Sequence, residues 1–363
     1  MADFHRFESE PLCDVVREIV RGFGSDAREV DLVSENLVRA NLYGHDSHGI
    51  GMLPRYVEAY LEGSLKPNAQ PRIRIDQGPM LALDGQTGFG QSIGHAAMAM
   101  GIERAREHGT CIMALGNAHH LGRIGEWAEM AVAAGLVSVH FVNVISRPLV
   151  AAWGGRDARL GTNPFAIGIP IEGREPFILD LATSVIAQGK ARVAYNKGVP
   201  LAPGQLLDHE GRSTTNPAHA VVGPLGALLP FGEHKGFGLS LACEILGGAL
   251  AAGLAVHGPD EGKKRVLNGM LTILIDPARL GDAQGFAEQT LACLDWVTAS
   301  PPQDGVEAVM LAGEPERRAC TERRAHGIPV DGATWSAILA AADKLGVEVD
   351  RSTRHVGGLS AEA

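Results

Sequence analysis

Apolar residues recur at three- and four-residue intervals through CDVVREIVRGFG and VDLVSENLVRANL. That spacing lines one face of a helix. Residues 10–42 are therefore expected to form two helices, parted by Gly22 and Gly24. MLPRYVEAYLEG repeats the pattern over a shorter span, with Pro54 near its start and Gly63 near its end, where a helix tolerates each. The rhythm then changes. LKPNAQPRIRIDQGPMLALDG alternates apolar positions with turn residues and predicts strands. GQSIGHAAMAMGIERAREHG predicts a long helix running into a buried strand, TCIMALGN. GEWAEMAVAAG and LVSVHFVNV repeat that helix-then-strand order, and PFAIGIPI with PFILDLATS reads as a strand pair joined by a loop.

Residues 197–223, rich in Gly, Pro and Thr, read as a long surface excursion. Beyond them GFGLSLACEILGGALAAG predicts a helix and GMLTILIDP a strand. QGFAEQTLACLDWV predicts a helix, VEAVML a strand, and DGATWSAILAAADKLG a terminal helix. Helices alternating with strands through the middle favour an α/β class. No internal repeat or linker divides the chain, so its domains are expected to be intertwined.

Composition narrows the partners. A chain of 363 residues, 45% apolar and 20% charged, has the length of two or more domains. A formal net charge of −10 argues against a nucleic-acid or anionic-membrane partner, which calls for a basic surface. The five cysteines, Cys13, Cys111, Cys243, Cys293 and Cys320, are scattered and form no C-x-x-C. They suggest neither a disulfide framework nor a structural zinc site. The N-terminal stretch has no apolar signal core, and no segment approaches the ~18 uncharged apolar residues of a membrane helix. The expectation is a cytoplasmic protein without a membrane span.

Five stretches carry candidate chemistry. YGHDSHGIGMLPRY packs His45, Asp46, Ser47 and His48 together. Three readings stay open for it: capping of the next helix by Asp46 or Ser47, proton transfer by a histidine, or a metal site. In GNAHHLGRIGEW, His119 and His120 end a strand just ahead of a helix, where site residues of α/β proteins gather. Asp180 interrupts the apolar run PFILDLATS and needs partners if buried; Thr162, Asn163 and Thr183 add polar groups beside turns. His234 and Lys235 precede a helix whose N-terminus could hold an anion. A Rossmann fingerprint is missing: GFGQSIG, with Gly88, Gly90 and Gly94, is one residue too long for G-x-G-x-x-G.

Taken together, HDSHGIGMLPRYV, NAHHLGRIGEWAE, WGGRDARLGTNPFAIGIP, ILDLATSVIAQGKARVA, GEHKGFGLSLACEILGGAL and ERRAHGIP resemble the malate/L-lactate dehydrogenase family of non-Rossmann NAD(P)-dependent 2-oxo acid reductases. They follow the family's order over nearly the whole chain. The resemblance implies a three-layer α/β/α fold with a mixed, largely antiparallel sheet. It implies a homodimer, a small 2-oxo or 2-hydroxy acid as substrate, and NAD as cofactor, with NADP as the alternative. Residues 1–80 together with 311–363 would form a mainly helical domain carrying the catalytic histidine, and 81–310 the NAD(P)-binding α/β domain.

Carried across position by position, the resemblance makes His48 the catalytic histidine, oriented by Ser47 and Asp180, with His120 a second active-site histidine. It assigns cofactor contacts to His48, Gly122, Arg123, Ile124, Ile178, Leu179, Asp180, Leu181, Ala182, His234, Asn268, Gly313, Glu314, Pro315 and Glu316. Many members carry arginine four residues after the catalytic histidine to hold the substrate carboxylate; here that position is Met52. Arg123, then Arg55, are the substitutes expected for that anchor, and Met52 an apolar wall suited to a phenylpyruvate-like side chain. Two rival functions remain: a metal-dependent hydrolase using His45, His48 and His120, and a non-catalytic nucleotide-binding protein.

Overall fold

A computed structural model of the protein describes residues 4–251, 253–257 and 262–349. The tail 350–363, expected in the helical domain, lies outside the described residues, as do residues 1–3.

The alternating segments of the middle of the chain assemble into one seven-stranded sheet. Its order is Arg72–Gln77, Met80–Asp84, Thr110–His119, Leu267–Ile275, Val137–Ile145, Phe165–Ile169 and Phe177–Leu181. Only Met80–Asp84 and Thr110–His119 pair in parallel; every other neighbour is antiparallel. The sheet is thus mixed and largely antiparallel, as the resemblance implies. Helices Gly90–His108 and Gly125–Ala133 cover one face over a core that includes Met98, Met113, Trp127, Val142 and Met270. Helix His234–Cys243 and its continuation Glu244–Leu250 cover the other. There Gly247 sits so close to Phe141 O and Asn143 N that a Cβ would lie 2.6 and 2.8 Å from them.

A second core is helical. It joins Ser9–Arg21, Ala27–Leu42, Leu53–Leu61 and Gly332–Lys344 through Leu12, Ile19, Leu37, Leu53, Tyr56 and Ile338. The side chains of Asp26 and Asp331 accept from Glu29 N and Thr334 N, at 2.8 and 2.9 Å, and so start two of these helices. Strand Phe4–Phe7 pairs with Ile328–Asp331 at the edge of this core and ties the two ends of the described chain together.

Several expectations are corrected. Residues 306–311 form no strand: Val306 and Met310 stay about half exposed and the segment reaches no sheet edge. Residues 197–223 are not a featureless excursion. Leu206–Leu207 pairs with Ser213–Thr214 and Ala227–Leu228, and the latter with Val150, in a small five-stranded sheet. The helix expected from Gly236 begins at His234 and widens into a π-helix at Glu244. At that point the buried Glu244 carboxylate accepts from Asn163 Nδ2 at 2.8 Å and Val256 N at 2.7 Å. Helices Gln188–Lys197 and Glu314–His326, and strand Phe4–Phe7, carry little apolar periodicity and escaped the pattern. No helix among the described residues is long and apolar enough to cross a membrane.

Candidate functional site

The HDSH stretch folds as a short 3-10 helix, Asp46–His48, wedged between the end of Ala27–Leu42 and the start of Leu53–Leu61. Neither Asp46 nor Ser47 caps the helix that follows, so the capping reading fails. Asp46 is instead clamped by Arg323, at 2.6 and 3.0 Å, and by Asn41 Nδ2 at 2.7 Å. The same Asn41 accepts from Ile50 N at 2.9 Å. These bonds fix the turn and aim Ser47 and His48 inward.

His48 Nδ1 lies 2.9 Å from Ser47 Oγ. Its ring stacks on that of His120, centroids 5.6 Å apart and planes 22° from parallel. His120 comes from the far side, at the end of strand Thr110–His119, and its Nδ1 lies 2.7 Å from Tyr56 Oη. The turn after it is held from behind: Asn268 Oδ1 accepts from Leu121 N at 2.8 Å, while Asn268 Nδ2 donates to Asn143 O at 2.8 Å. Asn268 thus supports the loop with both ends of its amide. Gly90 is packed on the carbonyls of His119 and His120, where a Cβ would collide, and Gly94 packs against Trp127. The near-fingerprint GFGQSIG therefore serves helix-to-loop packing.

Burial sets the protonation of this cluster. It pushes the His48 imidazole down to about 4, with His45 and Arg123 acting the same way and Asp180 opposing. Burial pushes His119 down to about 3 and His120 well below its ordinary range. All three rings are neutral at pH 7, since each titrates far below it. The His45 ring lies 6.3 Å from that of His48, edge to face, and turns its Nε2 to Glu316 at 3.5 Å. The three histidines proposed for a metal do not converge on a point, and no group of three ligating side chains among the described residues could hold a metal ion.

Asp180, on strand Phe177–Leu181, accepts from Gly125 N at 2.8 Å and so satisfies the first N–H of helix Gly125–Ala133. Arg123, 2% exposed, runs alongside. Its Nη2 lies 2.7 Å from Glu129 and 3.6 Å from Glu126, and its guanidinium covers the Tyr43 ring at 4.6 Å. Met52 is half-buried and packs on the helical core, and Arg55 Nε donates to Lys264 O at 3.2 Å. Thr183 Oγ1 donates to the carbonyls of Thr162 and Asn163, so those three polar residues brace the strand pair.

A cavity of about 330 Å³ opens beside these groups, lined by Tyr43, Arg123, Ile178, Asp180, Gly313 and Glu316 among others. Ile178 N donates to Ala312 O at 3.3 Å, which brings the start of helix Glu314–His326 against strand Phe177–Leu181. Gly313 takes φ 92° there, and a Cβ would lie 2.7 Å from Arg317. Gly122 takes φ 73° beside Asn36. The Gly313 turn, the helix N-terminus that follows with Glu314, Pro315 and Glu316, and the guanidinium groups of Arg39, Arg123, Arg174 and Arg317 form a cradle that could hold a dinucleotide, and Gly122 lies outside its lining. Ile124 is buried in the core of the large sheet; Leu179 and Leu181 alternate with the cavity-lining Ile178 and Asp180 and so face the other side of the strand, which Ala182 follows. His234 is exposed at its helix N-terminus, next to residue 183 through Phe231 N to Thr183 O. Sequence reading missed Asn41, Tyr56, Gln91, Asn143 and Arg323; Asn41 stands just before the HDSH stretch it braces, whereas the other four lie far along the chain from the groups they support, and the LPRY and ERRAHGIP stretches contain Tyr56 and Arg323.

Comparison with known proteins gives a consistent picture. A model of the malate/L-lactate dehydrogenase family matches residues 7–339. Hydroxycarboxylate dehydrogenase B of Escherichia coli (strain K12) is 47% identical over 353 residues, 96% of each chain. An L-lactate dehydrogenase of Cupriavidus necator is 38% identical, over 92% of this chain and 96% of its own. The structure of sulfolactate dehydrogenase from Methanocaldococcus jannaschii superposes with a TM-score of 0.83 at 30% identity, covering 94% of this chain and 98% of that one.

Proposed function

The chain belongs to the malate/L-lactate dehydrogenase family, and from that premise we propose that it interconverts a 2-hydroxy acid and its 2-oxo acid using a nicotinamide cofactor. One observation carries the reading: His48 and His120 are stacked, each with Nδ1 against a hydroxyl. Neither Nε2 has a hydrogen-bond partner among the described residues, which leaves both for a ligand.

A bound nicotinamide would supply the redox half of the reaction; the protein's share is to bind, orient and move the proton. His48, neutral at pH 7, accepts the proton of the C2 hydroxyl at Nε2 while Nδ1–H is held by Ser47. Asp180 favours the imidazolium that results. In the reductive direction the same ring returns the proton to the C2 oxygen.

We assign the substrate carboxylate to Arg123, with Arg55 second. Met52 in place of the family's arginine supports a wider pocket that takes phenylpyruvate-like acids beside smaller ones. We assign NAD rather than NADP. The carboxylates of Glu129, Glu175 and Glu316 line the cavity and can accept from ribose hydroxyls, but Arg39, Arg123, Arg174 and Arg317 line it too, so the choice of NAD rests on the family resemblance and NADP is its alternative. Exposed apolar residues Leu241, Ile245 and Leu250 on one helical run support a homodimer. The test is turnover of a panel of 2-oxo acids, phenylpyruvate included, with NADH and NADPH in separate arms. Cofactor binding without oxidation across the panel would favour the non-catalytic reading. Chelator-sensitive hydrolysis would favour the metal-dependent one.

A further inference from the structure

Tyr56 and Gln91 are fully buried, and His120 nearly so, at 0%, 1% and 9% exposure. Gln91 Nε2 donates to Tyr56 Oη at 2.9 Å, and Tyr56 Oη lies 2.7 Å from His120 Nδ1. The protons along this chain can be counted. An amide nitrogen only donates, and a phenol has one proton to give. Tyr56 receives from Gln91, so its own proton goes to His120 Nδ1. If His120 donated from Nδ1 instead, the Tyr56 hydroxyl would receive twice and its proton would be buried without an acceptor, which costs about 1–3 kcal/mol. Reversing the Gln91 amide would escape that count. It would also put two N–H donors where Oε1 now has no partner, and buried orphan N–H groups are rarer than under-satisfied carbonyls.

We propose that Tyr56, held by Gln91, is a positioning residue that fixes His120 as the Nε2–H tautomer, so that His120 serves the reaction as a hydrogen-bond donor to a substrate oxygen while His48 handles the proton. The second half rests on the dehydrogenase reading; the tautomer does not. Burial pushes His120 well below its ordinary range, with His48, His119 and Arg55 facing it and acting the same way. The ring therefore stays neutral through the working range, and a neutral Nε2–H can polarise a carbonyl without losing its proton. The two stacked histidines then have opposite roles: His48 presents a lone pair and His120 an N–H. The sequence places them 72 residues apart with no sign of this division.

The experiment has two arms on the full-length protein. In the first, ¹⁵N-histidine NMR assigns the His120 tautomer in the wild type and in Tyr56→Phe. The proposal expects Nε2–H alone in the wild type and a mixture of tautomers in the variant. An Nδ1–H wild type overturns the proposal whatever the activity. The second arm measures kcat and KM in Tyr56→Phe and Gln91→Met. Loss of the bond to Nδ1 is expected to lower kcat about tenfold in Tyr56→Phe, with KM for NADH within about twofold. Gln91→Met, which keeps that bond, should lose less. Wild-type kcat in Tyr56→Phe overturns the positioning role. A wild-type protein with the Nε2–H tautomer but no turnover of any 2-oxo acid would overturn the dehydrogenase reading, and the role of His120 with it.

Discussion

Replacing Arg123 with methionine separates two roles that the residue could combine. Its guanidinium is 2% exposed, 2.7 Å from Glu129, 3.6 Å from Glu126 and 4.6 Å from the Tyr43 ring centre. Methionine fills much of the same space without the charge. Two carboxylates, 16% and 20% exposed, would then share, among the described residues, only Arg39, which reaches them at 2.9 and 3.3 Å from a more exposed position. Removing one partner of a buried pair costs about 3–5 kcal/mol, and a desolvated cation–π contact adds up to about 2 kcal/mol. Arg39 compensates in part, so we expect a loss of about 3–4 kcal/mol in urea unfolding. Glu129→Gln added to the same variant should restore roughly half, because the stranded carboxylate is gone. If Arg123 also anchors the substrate, KM for the 2-oxo acid rises about 10- to 150-fold, the equivalent of ~1.5–3 kcal/mol for a hydrogen bond to a charged group. A variant within about 1 kcal/mol of the wild type would refute the ion-pair argument. A defect in KM for NADH alone would remove the carboxylate role and assign the arginine to the cofactor side of the site.

Four further outcomes are expected. His48→Ala should lower kcat on the order of 10²–10⁴-fold while cofactor fluorescence titration still shows binding; wild-type turnover would refute the assignment. Gly189→Ala puts a Cβ 2.6 Å from Ser47 Cβ, so it should disturb the Ser47–His48 bond and lower kcat about tenfold, and an unchanged kcat would mean the helix yields instead. His140 is buried, pushed down to about 3, with Nδ1 on Thr272 Oγ1 and Nε2 unpartnered. Its folded value lies below the unfolded ~6.5, so the stability it contributes is complete above 6.5 and drains as pH falls toward 3. By pH 5 the loss is about 2 kcal/mol, 1.5 units at ~1.4 kcal/mol each. Urea unfolding of His140→Gln should lose that much less than the wild type between pH 7.5 and 5, and equal losses would contradict it. Light scattering should give about twice the chain mass of 38.2 kDa; a single monomeric species would contradict the homodimer.

Periodicity alone determined the long elements. The helices Ser9–Arg21, Ala27–Leu42, Leu53–Leu61 and Gly90–His108 bury the faces their apolar spacing marks. The strand pair Phe165–Ile169 and Phe177–Leu181 stands where the two apolar runs placed it. The motifs marked the stretches that hold His48, Ser47, His120 and Asp180, while the roles expected of those residues came from the family resemblance. Pairing across distance is not written locally. Nothing local says that Leu267–Ile275 inserts between Thr110–His119 and Val137–Ile145, or that Asn268 then reaches Leu121 N to brace His120. Residues 306–311 form a short, mostly apolar run like a strand yet have no edge to join, and strand formation depends on the partner as much as on the segment. The state of each histidine follows the same rule. An imidazole titrates near 6.5 in water; burial among Tyr56, Gln91 and a second ring moves it, and the direction of one phenol proton sets its tautomer. Those are properties of a three-dimensional neighbourhood, and only the tertiary structure decides them.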